Sequence, residues 1–166
     1  MNESAGLDIL KRAILLEKRG EAFYTRISEQ TDNAAVKDFF RFMAEEETQH
    51  VAILSEQYRK FRQAGKIDAA VHDARNSDVA SQVLNSALKA RLSAAGFEAA
   101  AISAAMAMEQ RAISLYSQRA RETDDAEEKA LYQWLATWEG EHLRMLSDLD
   151  RELTESVWND NQFWPF

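Results

Sequence analysis

Apolar residues recur along this chain in steps of three and four. One row runs Leu7, Leu10, Ile14 and Tyr24, a second Val36, Phe40, Met43 and Leu54, a third Ile102, Met106, Ile113 and Tyr116. A fourth runs Leu131, Leu135, Leu146, Leu149 and Leu153. That spacing gathers each row on one stripe of an α-helix. It predicts helices over residues 6–30, 33–64, 95–122 and 125–153. Thr31, Asp32 and Asn33 offer side-chain oxygens to cap the second, and Asp124 followed by Glu127 reads as a capping box for the fourth. Residues 65–95 are polar at first and carry a short helix pattern around 79–92, which predicts a long connection.

Each stripe is broken by an ionisable group. Glu17, with Glu21 beside it, interrupts the first, Glu47 and His50 the second, Glu109 the third, and Glu139 and His142 the fourth. An unpaired buried charge costs several kcal/mol or more, so acids in four core-facing rows need a chemical reason.

The interruptions repeat. At an offset of 92 positions Glu17 maps to Glu109, Tyr24 to Tyr116, Thr31 and Asp32 to Thr123 and Asp124, Lys37 to Lys129, Glu47 to Glu139, His50 to His142 and Leu54 to Leu146, without a gap. Two copies of one helical hairpin follow. A long crossover between them lets the second hairpin return along the first, predicting an all-α, antiparallel four-helix bundle.

Composition narrows this further. The 166 residues suit one domain, expected over 1–155, and 5 Gly with 1 Pro leave little to break long helices. A formal charge of -8 disfavours nucleic acid as a partner, which needs a basic footprint. The absence of Cys removes disulfides, thiol nucleophiles and thiolate metal sites. Charges interrupt the apolar run near the N-terminus, so neither a signal peptide nor a membrane span is expected, and a cytoplasmic location is the default. The segment 156–166 lies outside the repeat. Its Trp158, Phe163, Trp164 and Phe166 are expected to pack on the bundle or on a partner subunit.

Four carboxylates meeting inside one bundle repel one another and lose hydration unless protons or cations join them. Two divalent ions bring the matching charge, and neutral imidazoles add nitrogen donors. Glu and His at i, i+3 share a helix face and can serve one ion. A single Glu-x-x-His is a weak signal. Two at the same offset, each preceded by a stripe acid, point to a dinuclear site built from Glu17, Glu47, His50, Glu109, Glu139 and His142. Tyr24 and Tyr116 lie two turns beyond Glu17 and Glu109. They are core aromatics in need of a hydroxyl partner, or donors that orient a ligand carboxylate. Glu21, whose repeat equivalent is Ile113, reads as an acid at the stripe edge or a further polar group beside the site. His72 falls in the crossover and reads as a solvated loop residue.

Glu17 with Tyr24, the Glu47-Thr-Gln-His50 run, Glu109 with Tyr116, and the Glu139-Gly-Glu-His142 run resemble the ligand pattern of the rubrerythrin branch of the ferritin-like diiron superfamily, over about residues 6–153. The resemblance implies a ferritin-like four-helix bundle around two irons. By the same likeness Glu47 and Glu139 bridge the metals, Glu17 and Glu109 are terminal ligands, and His50 and His142 each cap one ion. Hard carboxylates with two imidazoles favour iron or manganese by ligand type, with zinc able to occupy such a site. Two departures stand out. There is no Cys for a rubredoxin module, and the positions a turn from Glu109 that would carry an extra acid are Met106 and Ala112.

The implied function is an oxidoreductase acting on hydrogen peroxide or O2, supplied with electrons by an external donor and assembled as a homodimer. A ferroxidase or iron-handling protein is the alternative, and a non-catalytic metal-binding module is the third.

Overall fold

The structure is a computed structural model, and it describes residues 3–68 and 96–160. The helix expected at 79–92, His72 and the tail from residue 161 onward lie outside the described residues. Four helices are present: α1 (Glu3–Gln30), α2 (Ala34–Ala64), α3 (Phe97–Glu122) and α4 (Ala126–Asp160), with no strand among the described residues. The chain is an all-α four-helix bundle of two hairpins, α1 with α2 and α3 with α4.

Local chemistry sets the ends of these helices. Asn33 caps α2, its side-chain oxygen accepting from the backbone N–H of Ala35 and Val36 at 3.1 and 3.4 Å. Gly65 closes the same helix in the left-handed region, φ 67°, where a side chain would be strained. Glu98 in the first turn of α3 and Arg119 and Arg121 in its last turn complement the helix dipole. The cap of α4 sits one residue later than the sequence suggested. Asp125, not Asp124, accepts from the N–H of Glu128 at 2.9 Å. Glu128 rather than Glu127 is then the third helical residue, and its carboxylate does not turn back to the cap. It receives Arg119 Nε at 2.7 Å and Thr123 Oγ1 at 2.6 Å, closing the second hairpin with a buried ion pair. The fourth helix also runs past the expected 153 to Asp160, so the tail begins as a continuation of α4.

Contacts between helices fix their directions. Gly6 lies against Phe61 and Gly20 against Glu47, so α1 and α2 run antiparallel. Tyr24 reaches Glu109 while Tyr116 reaches Glu17, which sets α1 antiparallel to α3. His50 meets Glu139 and His142 meets Glu47, giving the same relation between α2 and α4. Thr31 in the α1–α2 turn donates to Glu98 at the start of α3, at 2.9 Å, which ties the hairpins together at that end.

The core is divided. One apolar cluster, including Ile27, Phe39, Phe40, Ile102, Leu146 and Leu149, fills the end near the α1–α2 turn. Another, including Leu10, Leu54, Phe61, Leu131, Tyr132 and Leu135, fills the other end. Each fully buried large side chain contributes roughly 1.5–3 kcal/mol. The ionisable residues of the four stripes lie in the layer between these plugs. Ile14, Met106 and Ile113, expected on the stripes, are only partly buried at their margins.

Candidate metal centre

All six expected ligands meet in that central layer, and each is at most 3% exposed. They form two overlapping groups: Glu17, Glu47, His50 and Glu139 in one, and Glu47, Glu109, Glu139 and His142 in the other. Within each group one donor atom per residue lies within 4.8 Å of all the others. Glu47 and Glu139 belong to both. Helical periodicity explains the convergence, because each Glu-x-x-His pair occupies one face, and the antiparallel directions bring the face of α2 opposite that of α4.

The imidazoles turn Nδ1 toward the acids. Around His50 Nδ1 stand Glu139 Oε1 at 2.9 Å, Glu17 Oε2 at 3.0 Å and Glu47 Oε2 at 3.3 Å. Around His142 Nδ1 stand Glu139 Oε2 at 3.1 Å, Glu109 Oε1 at 3.9 Å and Glu47 Oε1 at 4.0 Å. A proton on Nδ1 points in one direction and serves one acceptor, whereas a metal ion accepts several donors at once. Three oxygens around one imidazole nitrogen, repeated on the second imidazole, therefore fit a pair of metal ions better than a hydrogen-bond network. The donor set of four carboxylates and two imidazoles suits iron or manganese.

The electrostatics carry the cost of this crowding. Burial, and then the charge of Glu139, push Glu47 and Glu109 well above the ordinary carboxyl value of 4.5. Burial raises Glu139 as well. Burial also pushes Glu17 upward, but hydrogen bonds from His50, Glu47 and Tyr116 together with the His50 charge outweigh it and bring the carboxyl down to about 2. Burial pulls His50 down, yet Glu139 and the other surrounding carboxylates hold it well above 6.5, while burial keeps His142 below that value. Protons held in the cluster thus relieve its negative charge when no cation does so.

Both tyrosine hydroxyls find a carboxylate of the cluster, with a crossing of partners. Tyr24 of the first hairpin donates to Glu109 of the second, and Tyr116 of the second donates to Glu17 of the first. Burial and the adjacent carboxylate raise both phenols well above 10, so each remains a neutral donor. Glu21 is half-buried and stands outside both ligand groups.

Three features escaped the stripe reading. A Cβ on Gly20 would lie 3.1 Å from both Cδ and Oε1 of Glu47, so the missing side chain makes room for that carboxylate. Trp138 stands edge-to-face with His50, ring centroids 4.1 Å apart, and donates from Nε1 to Glu46 Oε2 at 2.9 Å. Trp134 packs on Trp138 at 4.8 Å. The repeat itself held the signal, because Gly20 aligns with Ala112, Trp134 with Phe42 and Trp138 with Glu46, places where the two copies differ in size or polarity.

Comparison with known proteins agrees with this geometry. The family model described as Rubrerythrin matches residues 8–150. No curated protein and no solved structure matches the chain.

Proposed function

The chain belongs to the rubrerythrin family, and from that premise we propose that it is a diiron-carboxylate oxidoreductase acting on hydrogen peroxide or O2. The observation that carries the reading is the pair of ligand groups sharing Glu47 and Glu139. One ion would be held by Glu17 and His50, the other by Glu109 and His142, with the two shared acids between them. Bound there, a pair of irons supplies two one-electron redox equivalents, one from each metal.

The protein's own residues supply order and exclusion. Tyr116 holds Oε1 of Glu17 while its Oε2 turns to His50, and Tyr24 holds Oε1 of Glu109, so each phenol orients one acid of the cluster. The apolar clusters at both ends keep bulk water out of the layer, which strengthens every charge interaction within it. The chain holds no Cys and so no thiol-based electron store. Turnover therefore draws on an external donor, and a homodimer is the proposed assembly.

The test is single-turnover oxidation. Protein loaded anaerobically with ferrous iron is mixed rapidly with peroxide, and separately with O2, while the optical spectrum is followed. Stoichiometric oxidation by either supports the reading, and sustained consumption of oxidant only with added reductant supports a catalytic role. Iron that stays ferrous under both oxidants would leave a metal-binding role in its place.

A further inference from the structure

Trp138 and Trp134 form a feature that ligand geometry does not require. His50, Trp138 and Trp134 make a continuous stack, edge-to-face at 4.1 Å and then 4.8 Å, leading from a metal-facing imidazole to a half-buried indole. Trp138 also approaches His142, with centroids 6.4 Å apart, so one indole neighbours both imidazoles. The stack exists on one side only, since the matching positions of the first hairpin are Phe42 and Glu46. That same Glu46 accepts the Trp138 N–H at 2.9 Å and sets a carboxylate against the indole.

Resting on the diiron reading, we propose that Trp138, backed by Trp134, is the relay through which single electrons enter the centre by way of His50. Indole is among the most readily oxidised side chains, and a carboxylate on its N–H stabilises the cation left when an electron departs. In the first step Trp138 gives one electron toward His50 and the oxidised centre, becoming an indole radical cation. Its proton stays on Nε1, hydrogen-bonded to Glu46. In the second step an external one-electron reductant returns an electron through Trp134, restoring neutral Trp138. The donor is oxidised by one electron, the centre is reduced by one, and no proton or bond changes hands.

The experiment uses the full chain loaded with iron and oxidised by peroxide, with ascorbate as the one-electron donor. Wild type is compared with Trp138→Phe, Trp134→Phe and Glu46→Gln, each checked for bound iron by metal analysis. Peroxide in excess over the iron, without reductant, supplies the further oxidising equivalents and is expected to give a tryptophan radical in freeze-quenched electron paramagnetic resonance, and an oxygenated tryptophan mapped to Trp138 by peptide mass spectrometry. Ascorbate should suppress both. Trp138→Phe should abolish both signatures and slow re-reduction at least roughly tenfold. Glu46→Gln keeps a hydrogen-bond acceptor but removes the charge, and should slow re-reduction by about the same factor, the loss expected when one nearby charge is lost. Trp134→Phe keeps an aromatic ring at the edge of His50, 6.4 Å between centroids in the native protein, and should slow re-reduction with iron content unchanged.

Iron-loaded variants that oxidise and re-reduce at the wild-type rate, or a wild type that oxidises without any tryptophan product, would overturn the relay and leave the diiron reading standing. Iron that neither peroxide nor O2 oxidises overturns both, so the two failures are distinguishable.

Discussion

The phenol of Tyr116 on α3 donates to the carboxylate of Glu17 on α1, and so reaches from one hairpin into the ligand set of the other. Tyr116→Phe removes that donor and leaves a buried carboxylate oxygen without it, a loss of about 1–3 kcal/mol. Metal affinity should fall by roughly 10–100-fold, the usual effect of removing a group that orients a ligand. Metal titration of the purified variant checks this. An unchanged isotherm would show that Glu17 is held in place by other means.

Glu47→Ala and Glu17→Ala should differ in kind. Glu47 belongs to both ligand groups and Glu17 to one. The first variant should lose both ions and the second should keep one, as read from metal-to-protein ratios. Equal single-ion losses would reject Glu47 as the shared ligand.

Gly20→Ala sets two effects against each other. Alanine favours a helix interior over glycine by about 1 kcal/mol. The new Cβ, however, would lie 3.1 Å from the Glu47 carboxylate, tighter than ordinary contact. The expected outcome is a metal-free protein at least as heat-stable as wild type that binds metal more weakly. Thermal melts with and without metal separate the two terms, and equal affinity would mean that Glu47 yields at no cost.

Proton linkage gives an expectation for pH. Glu47 and Glu109 are raised above 4.5 and His50 above 6.5, so above those values the folded metal-free protein binds more protons than the unfolded chain. Its stability is fully present below the unfolded values and declines as pH rises through the folded ones. Glu17, lowered to about 2, acts oppositely and only below 4.5. Metal must displace the retained protons, so binding should tighten with pH and release protons. Calorimetry in two buffers of different ionisation enthalpy measures the release. A binding heat independent of buffer would contradict it.

Much of the site was legible because an acid in an apolar stripe violates the pattern that surrounds it, and Glu47 and Glu139 do so at a shared offset. Helix periods say which face a residue occupies. They do not say which residue of another helix stands opposite, and so the crossing of Tyr24 to Glu109 and the closeness of Gly20 to Glu47 emerge only from the packed bundle. The misplaced cap has a local cause. Asp124 and Asp125 are both competent caps, and the buried pairing of Arg119 with Glu128 goes with the later one.

Each ligand group takes three residues from one hairpin and one acid from the other, Glu139 in the first case and Glu47 in the second. The tyrosines are exchanged in the same manner. Neither half of the chain owns a finished centre; each completes its own only by lending an acid and a phenol to its neighbour. A metal ion bound there would draw on both halves at once, and so act as a latch across the repeat boundary.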